Sequence, residues 1–316
     1  MILEVVMRQR SFGSTGVTVG EIGFGGWAIG KHQWGEVDEQ AARDAVKAAL
    51  DVGVTFFDTA QEYGSGLSEE IFGEVLGGRD DVMLATKTGK YWDVDGNFVQ
   101  DYSPQHITAS VEGSLKRLNT DSIGLYQLHN PGVEVSRRPE TWDALRQLQR
   151  EGRISFYGSS IGKTAEAQAA IDNGAAALQF EVHMAEPRHR ELLDMAAEAG
   201  VAVIARTPLA WGALSGKYFQ GVDLPESDFR AEGNWGHKAF TKWVERARDL
   251  AFLQREGQTL TQAALRYVLA QPAVAVVIPG GKTAEQVREN CAAAEGKLTD
   301  DELARIAEVQ KSWESQ

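Results

Sequence analysis

Short apolar segments rich in β-forming residues alternate along this chain with amphipathic helical segments, and this alternation constrains the fold more than any other feature. Parallel strands that are neighbours in a sheet need long crossover connections, usually helices. A chain that runs strand, helix, strand, helix is therefore expected to form a parallel sheet covered by helices. We assign eight such strands, within residues 21–30 and at residues 55–58, 82–87, 123–129, 154–158, 177–182, 201–205 and 273–278.

The number of units favours a closed barrel. Eight parallel strands with outer helices close into a sheet without free edges, and about 250 residues are enough for that fold. We predict one domain over residues 1–316, a (β/α)8 TIM barrel with a β-hairpin within residues 7–19 and extra helices. An open doubly wound sheet is the alternative. Residues 23–27, Gly-Phe-Gly-Gly-Trp, disfavour it because they fail the dinucleotide-binding pattern, whose third glycine lets a helix pack closely.

Several helix starts and one long insertion can also be predicted from the sequence. Asp38, Ser68 and the Ser-Pro pair at 103–104 are predicted helix N-termini, and residues 283–286, Thr-Ala-Glu-Gln, have capping-box spacing. Residues 216–257 form an insertion without a continuous apolar period, in which Trp243 and Ala247 indicate one helix. Loops of this length are usually functional or disordered.

Charge and cysteine content exclude several classes of function. The formal net charge of -13 argues against a nucleic-acid partner, because phosphate binding needs a basic surface. The single cysteine, Cys291, excludes an internal disulfide and fits a reducing compartment. Residues 1–6 show neither a signal peptide nor a membrane anchor, so we expect a cytoplasmic protein with no membrane partner.

Four ionisable residues fall at or just after the ends of three consecutive strands: Asp58, Tyr63, Lys87 and His129. A barrel brings the C-terminal ends of its strands to one rim, where its working groups lie. An ammonium beside a phenol favours the phenolate and lowers its pKa, and Asp58 would keep Lys87 charged. Tyr63 is then a candidate proton donor to a developing alkoxide, and His129 a candidate hydrogen-bond partner for the same oxygen.

Two other interpretations of these residues remain open. A buried ion pair between Asp58 and Lys87 with a satisfied histidine would be purely structural. Metal binding by His129, Asp58 and Glu62 is the second, but tyrosine and lysine are poor ligands of divalent metals and no clustered Cys/His spacing occurs. We therefore predict no metal site.

An anion site is predicted after the eighth strand. Residues 280–283, Gly-Gly-Lys-Thr, combine flexible backbone, a cation and a helix N-terminus, where free N–H groups attract phosphate. Phosphate sites in barrels often follow the last two strands. A glycine turn with a solvated lysine is the alternative interpretation.

Taken in order, these motifs resemble those of the aldo-keto reductases, NAD(P)H-dependent (β/α)8 enzymes, over nearly the whole chain. The likeness rests on Asp-Thr-Ala-x-x-Tyr-Gly at 58–64, Ser-Glu at 68–69, Ala-Thr-Lys at 85–87, Ser-Leu-x-Arg-Leu at 114–118 and Leu-His at 128–129. It implies that Tyr63 is the general acid and base, that Lys87 and Asp58 tune its pKa, and that His129 orients the substrate.

The resemblance also implies a cofactor site. Ser159, Ser160 and Gln179 match positions that hold the nicotinamide carboxamide, and residues 207–217 match the loop that covers the pyrophosphate. Arg206 stands where many members have an aromatic ring, and Gln286 where some have an arginine for the 2′-phosphate, so NADP preference rests on Lys282 and Arg230. The implied cofactor residues are Trp27, Ser159, Ser160, Gln179, Arg206, Thr207, Pro208, Leu209, Gly212, Leu214, Lys217, Arg230, Gly280, Lys282, Gln286, Glu289 and Asn290.

We expect the substrate to be a small carbonyl compound or sugar. Aromatic residues in the predicted loops provide walls for such a ligand; besides Trp27 they are Trp34, Tyr91, Trp92 and Trp235. The sequence thus predicts an oxidoreductase that reduces an aldehyde or ketone with NADP(H), or alternatively NAD(H). An NAD-dependent sugar dehydrogenase and a cofactor-sensing subunit with little turnover, as in potassium-channel β subunits, are the alternatives.

Overall fold

A computed structural model describes residues 7–31 and 33–314. The expectation about a signal segment concerns residues 1–6, which lie outside that range. Within it, the strands are β1 (Gln9–Ser11), β2 (Thr18–Gly20), β3 (Phe24–Gly25), β4 (Phe56–Asp58), β5 (Met83–Thr88), β6 (Lys90–Trp92), β7 (Phe98–Gln100), β8 (Ile123–His129), β9 (Ile154–Ser160), β10 (Ala177–Glu181), β11 (Ala202–Arg206) and β12 (Val274–Val277).

Eight of these strands form a parallel sheet in the order β12-β11-β10-β9-β8-β5-β4-β3. The two ends of this sheet meet: Ile22 pairs with Val277 and Gly25 with Gly280, both in parallel. Backbone hydrogen bonds join the N–H of Gly23 to the carbonyl of Val277 at 2.8 Å and the N–H of Gly25 to the carbonyl of Pro279 at 3.0 Å. The predicted (β/α)8 barrel is confirmed.

The predicted N-terminal hairpin is formed by β1 and β2, which pair antiparallel. Phe12 and Val19 from this hairpin are buried together with Phe56, Leu125 and Ile204 in a small apolar cluster. The hairpin therefore packs its apolar side chains against residues of the barrel strands. A second antiparallel hairpin, β6 with β7, follows β5 and was not predicted from the sequence.

Helices surround the sheet. They are α1 (Glu39–Asp51), α2 (Leu67–Leu76), α3 (Pro104–Leu118), α4 (Gly132–Ser136), α5 (Pro139–Arg150), α6 (Thr164–Asp172), α7 (Arg190–Ala199), α8 (His237–Asp249), α9 (Leu260–Leu269), α10 (Ala284–Cys291) and α11 (Asp300–Glu314). Within residues 7–31 and 33–314, no helix is both long and apolar enough to cross a membrane.

One of the predicted helix starts is wrong in detail. The carboxylate of Asp38 does cap α1, but α2 begins after Gly66, whose φ of 99° suits glycine, and Ser68 lies inside the helix. The Ser68 hydroxyl instead donates to the carbonyl of Gly26 at 2.9 Å. The predicted start of α10 is confirmed, because Thr283 is its N-cap and the Thr283 hydroxyl accepts from the N–H of Gln286. The second bond of the capping box differs, because Gln286 Oε1 accepts from the N–H of Lys282 rather than from that of Thr283.

The insertion predicted at 216–257 is folded. Its C-terminal part contains α8, whose Phe240, Trp243, Val244 and Ala247 are buried in a second apolar cluster. That cluster also includes residues of α9 and α11, which gives the helix a face to pack against. The sequence indicated the helix correctly but not the packing that orders the rest of the insertion.

Candidate active site

Lys87, at the C-terminal end of β5, is the centre of a buried polar network. Its side chain is 0% exposed and its Nζ lies 2.5 Å from Asp58 Oδ1, 2.8 Å from the carbonyl oxygen of Thr59 and 3.3 Å from the Tyr63 hydroxyl. All three partners come from β4 or the loop that follows it. The barrel register, which pairs Asp58 with Ala85 on neighbouring strands, places these side chains together. The structure thus brings together three of the predicted residues, Asp58, Tyr63 and Lys87.

Asp58 also accepts two hydrogen bonds from amides. Gln127 Nε2 lies 3.0 Å and Gln179 Nε2 2.8 Å from Asp58 Oδ2, so both carboxylate oxygens have partners. Gln127 is not among the residues predicted from the sequence, although the sequence carries a signal for it. It is a polar residue in the apolar strand β8, two residues before His129 and opposite Lys87 in the register with β5.

Burial and the charges in this network together explain the pKa shifts of Tyr63 and Lys87. Burial raises the pKa of Tyr63, and the neighbouring carboxylates add to this, while Lys87 lowers it less strongly. The expected net lowering of the tyrosine pKa by Lys87 is therefore not found. Burial lowers the pKa of Lys87, but the attraction of Asp58 and Tyr63 outweighs it and the pKa is raised. At neutral pH the phenol is protonated and the lysine is charged.

His129 lies beside Tyr63 with its ring edge-on, at 5.8 Å between ring centroids and an interplanar angle of 87°. The pKa of His129 is well below its usual value because of burial and the nearby cations Lys87, Lys90 and Arg206. The imidazole is therefore neutral at neutral pH. Its Nδ1 lies 3.3 Å from a carboxylate oxygen of Glu62.

A cavity of about 420 Å³ opens next to Tyr63 and extends towards α10. It brings together residues from the loops after β3, β11 and β12 and part of the insertion. The predicted residues that line it are Trp27, Trp34, Asp58, Tyr63, Gln179, Arg206, Thr207, Pro208, Leu209, Gly212, Lys217, Arg230, Gly280, Lys282, Gln286, Glu289 and Asn290.

Some of the lining residues are not among those predicted from the sequence. Trp211, Ser215 and Tyr218 line the cavity from the loop after β11, and Thr261 lines it from α9. Trp211 and Ser215 fall within residues 207–217, which were predicted as a cofactor loop without these side chains being singled out. Thr261 gave no signal, because it is one polar residue in an amphipathic helix.

Other predicted site residues lie outside this cavity. Ser159 and Ser160 are buried in β9, which extends two residues beyond its predicted end, and Leu214 is buried in the second apolar cluster. Tyr91 and Trp92 lie on β6. Tyr91 stacks on His106 at 4.6 Å, whereas Trp92 lines a smaller pocket beside Tyr63 and Glu62.

The insertion carries the last predicted aromatic residue, Trp235. Its ring stacks on Phe229 at a centroid distance of 4.8 Å, and 64% of the residue is exposed. Phe229 in turn contacts the rings of Trp27 and Trp34 at 5.3 Å and 5.1 Å. Trp235 thus supports the aromatic residues around the cavity from outside.

The two cations predicted to select NADP already have partners. Arg230 forms an ion pair with Asp228, with NH2 2.6 Å from Oδ2, and its guanidinium lies over the ring of Trp34 at 4.7 Å. Lys282 Nζ donates to the carbonyl oxygen of Trp34 at 2.6 Å. These contacts tie the insertion to the loops after β3 and β12.

The cavity has the chemistry that a dinucleotide requires. Two buried nitrogen atoms on its lining residues have no hydrogen-bond partner within the described part of the chain: Trp34 Nε1 and Arg206 Nε. Buried donors without partners are costly, and a bound polar ligand would satisfy them. The N-terminus of α10, with Lys282 and Gln286 beside it, adds a favourable place for phosphate.

The barrel thus places a buried polar network and a large cavity side by side at one rim. Comparison with known proteins identifies the family. The sequence model of the Aldo/keto reductase family matches residues 21–311 of this chain. The chain belongs to the aldo-keto reductase family.

Three relatives illustrate the similarity. The chain is 33% identical to the uncharacterized oxidoreductase YqkF of Bacillus subtilis over 307 residues, 95% of each chain. It is 30% identical to the holo form of the aldo-keto reductase AKR11C1 from Bacillus halodurans, with a TM-score of 0.79 and 96% of each chain covered. It is 27% identical to the glycerol dehydrogenase AKR11B4 from Gluconobacter oxydans, with a TM-score of 0.83, covering 95% of this chain and 94% of that one.

Proposed function

We propose that this protein reduces an aldehyde or ketone to an alcohol with NADPH, and that Tyr63 protonates the carbonyl oxygen. The observation that carries the proposal is the position of the Tyr63 hydroxyl. It lies 3.3 Å from a buried, charged lysine, on a residue that lines the same cavity as Arg206, Thr207 and Lys282. Proton donor and cofactor-compatible groups therefore share one enclosed space.

The nicotinamide cofactor supplies the hydride when bound; the residues of the chain supply the proton and the electrostatic environment. Because the pKa of Tyr63 is raised, the phenol holds its proton until an alkoxide develops. The charged Lys87 stabilises the phenolate left after proton transfer, and Asp58 holds the lysine in place. Placed acid–base groups of this kind typically contribute roughly 10²–10⁴-fold.

Residues of the cavity support binding of the cofactor. Lys217 and Lys282 supply positive charge, and Arg206 offers a flat guanidinium with an unpartnered Nε for a ring or amide. We propose that Lys282 and Arg230 exchange their present partners for the 2′-phosphate, which is the basis of an NADPH preference. Lys282→Ala should then weaken NADPH binding much more than NADH binding. Equal weakening of both would contradict the proposed role.

The polar residues near Tyr63 favour a hydroxylated substrate. Glu62 lines the smaller pocket beside Tyr63 together with Trp92, and Lys90 interacts with its carboxylate. Carboxylate, ammonium and indole groups suit a polar carbonyl compound such as a sugar. Oxidation of the corresponding alcohol is the second candidate function, favoured by the similarity to a protein described as a glycerol dehydrogenase.

A turnover screen tests this proposal. Purified protein is assayed with NADPH and NADH against aldehydes, ketones and sugars, and with both oxidised cofactors against the alcohols. We expect carbonyl-dependent oxidation of NADPH. Tight cofactor binding without turnover of any carbonyl or alcohol would contradict the proposal and favour a cofactor-sensing subunit.

A further inference from the structure

Glu62, the residue directly before Tyr63, is placed to act on His129. Its Oε2 lies 3.3 Å from His129 Nδ1, and the two side chains are 16% and 8% exposed. Nδ1 is buried and makes no hydrogen bond of good geometry with any described residue. A small rotation of the Glu62 carboxyl would supply that bond, so this carboxyl is the group that can pair with Nδ1.

The rest of His129 is held in place. The Tyr102 hydroxyl donates to the carbonyl oxygen of His129 at 2.7 Å and lies 3.2 Å from that of Asn130, and the imidazole packs edge-on against the Tyr63 ring. With Nδ1 facing Glu62, Nε2 is the ring nitrogen left for a substrate oxygen. What Nε2 can do there depends on whether it carries a proton.

A neutral imidazole carries one N–H, on either Nδ1 or Nε2, and the partner of one nitrogen decides the state of the other. A carbonyl oxygen can only accept a hydrogen bond, so it requires Nε2–H. An alcohol can donate its O–H, so it is bound best by a bare Nε2. The tautomer of His129 therefore determines whether its Nε2 binds the carbonyl compound or the alcohol.

We propose that Glu62 is a positioning residue that sets the tautomer of His129. When Glu62 is ionised, it accepts the Nδ1–H and leaves Nε2 as an acceptor for an alcohol. When Glu62 is protonated, its O–H donates to Nδ1 and the imidazole proton resides on Nε2, which then donates to a carbonyl oxygen. The effect of the tautomer on the reaction rests on the proposed function. The tautomer itself is a property of the protein without substrate or cofactor.

Several groups around Glu62 and His129 affect this equilibrium. Burial raises the pKa of Glu62, and the positive charges of Lys90 and Lys87 oppose the rise without cancelling it. Tyr63 and Tyr102 interact with the Glu62 charge, and Arg206 acts on His129 from β11. The carboxyl is thus expected to ionise above the pH range of an exposed glutamate.

The test is nitrogen NMR of the full-length protein labelled with ¹⁵N at histidine. The His129 signals are assigned by their loss in His129→Asn and followed through a pH titration of wild type, Glu62→Gln and Glu134→Gln. Glu134 is a matched control, because its side chain is 87% exposed and pairs with Arg138. We expect wild type and Glu134→Gln to pass from Nε2–H to Nδ1–H as the pH rises, and Glu62→Gln to keep one tautomer throughout.

A wild-type protein with one tautomer at all pH values, or a Glu62→Gln protein that titrates like wild type, would overturn the inference. These signals do not depend on turnover. If no carbonyl or alcohol reacts, the proposed function fails while the tautomer result stands on its own.

An activity measurement adds the consequence for catalysis. In wild type the ratio of carbonyl reduction to alcohol oxidation should fall as Glu62 ionises, and in Glu62→Gln this step in the pH profile should be absent, with cofactor affinity unchanged. Glutamine has the same shape as glutamate, so loss of folding is not expected, and circular dichroism checks it. An identical pH profile for both proteins would contradict the proposed effect on the reaction.

Discussion

The four ionisable side chains at the barrel rim are coupled by charge as well as by position. Lys87 is fully buried and its charge is balanced by Asp58, which also accepts hydrogen bonds from Gln127 and Gln179. The same lysine lowers the pKa of His129 and opposes the rise in that of Tyr63. One buried ion pair therefore influences the protonation of both groups that are proposed to meet the substrate.

Removing one charge of this pair should be costly. Asp58→Asn leaves the Lys87 ammonium buried without a counter-charge, and breaking a buried pair in this way typically costs about 3–5 kcal/mol of unfolding free energy. Urea denaturation measures the loss. Asp81→Asn is the control: Asp81 pairs with Arg79 but is 58% exposed, so its removal should change the unfolding free energy little. Equal effects of the two substitutions would contradict the account of the buried pair.

His129 should make stability depend on pH. Its pKa in the folded protein is far below the unfolded value of about 6.5, so below that pH the unfolded chain binds a proton that the folded protein does not. The unfolding free energy should therefore fall as the pH drops below about 6.5, by up to ~1.4 kcal/mol per pH unit for this group. His129→Gln should reduce that slope. His106 and His189, whose pKa values burial also lowers, should maintain a smaller slope, and an unchanged slope would contradict the prediction.

Among the elements, the long apolar and amphipathic segments were predicted from the sequence, whereas one helix start and one short hairpin were not. The apolar run at 123–129 predicts the bounds of β8 correctly, with His129 at its end. The run at 82–87 places Lys87 one residue before the end of β5, which extends to Thr88. The start of α2 was predicted at Ser68, a residue type common at helix N-caps. The helix begins two residues earlier because Gly66, in a left-handed conformation, takes the N-cap position. The β6–β7 hairpin was missed although its sequence carries a signal, since Asp95-Gly96 is a turn pair between the β-prone residues at 91–92 and 98–99.

The close packing of α2 against α3 at Gly73 can be tested by substitution. A Cβ on Gly73 would lie 1.9 Å from the backbone carbonyl oxygen of Arg117, so the helices approach as closely as glycine allows. Gly73→Ala should lower the unfolding free energy by about 1–3 kcal/mol, although alanine is the better helix former by about 1 kcal/mol.

Gly113→Ala is the matched control on α3. Its added Cβ would meet only the movable end of the Arg117 side chain, at 3.1 Å. This substitution should be neutral or stabilising by up to ~1 kcal/mol. If both variants were stabilised equally in thermal or urea unfolding, the close approach of the helices would not be the reason for glycine at position 73.

Across the whole molecule, the insertion determines how the cavity is enclosed. Trp34 forms a β-bridge with Asp228, and Arg230 and Lys282 hold the same region. The sequence predicted which loops contribute to the site because barrel topology brings strand ends together. It did not predict the partners of Arg230 and Lys282, because their contacts join residues far apart in the chain and depend on the packed insertion.

The central claim is that Tyr63 gives the proton in a carbonyl reduction carried out in this cavity. Tyr63→Phe keeps the ring and removes the hydroxyl that lies 3.3 Å from Lys87 Nζ. The measurement is the rate of carbonyl-dependent NADPH oxidation, with cofactor binding followed separately by the fluorescence of the tryptophans that line the cavity. The account predicts a fall in kcat of roughly 10²–10⁴-fold with nearly unchanged cofactor binding; a variant that binds the cofactor and turns over at the wild-type rate would contradict it.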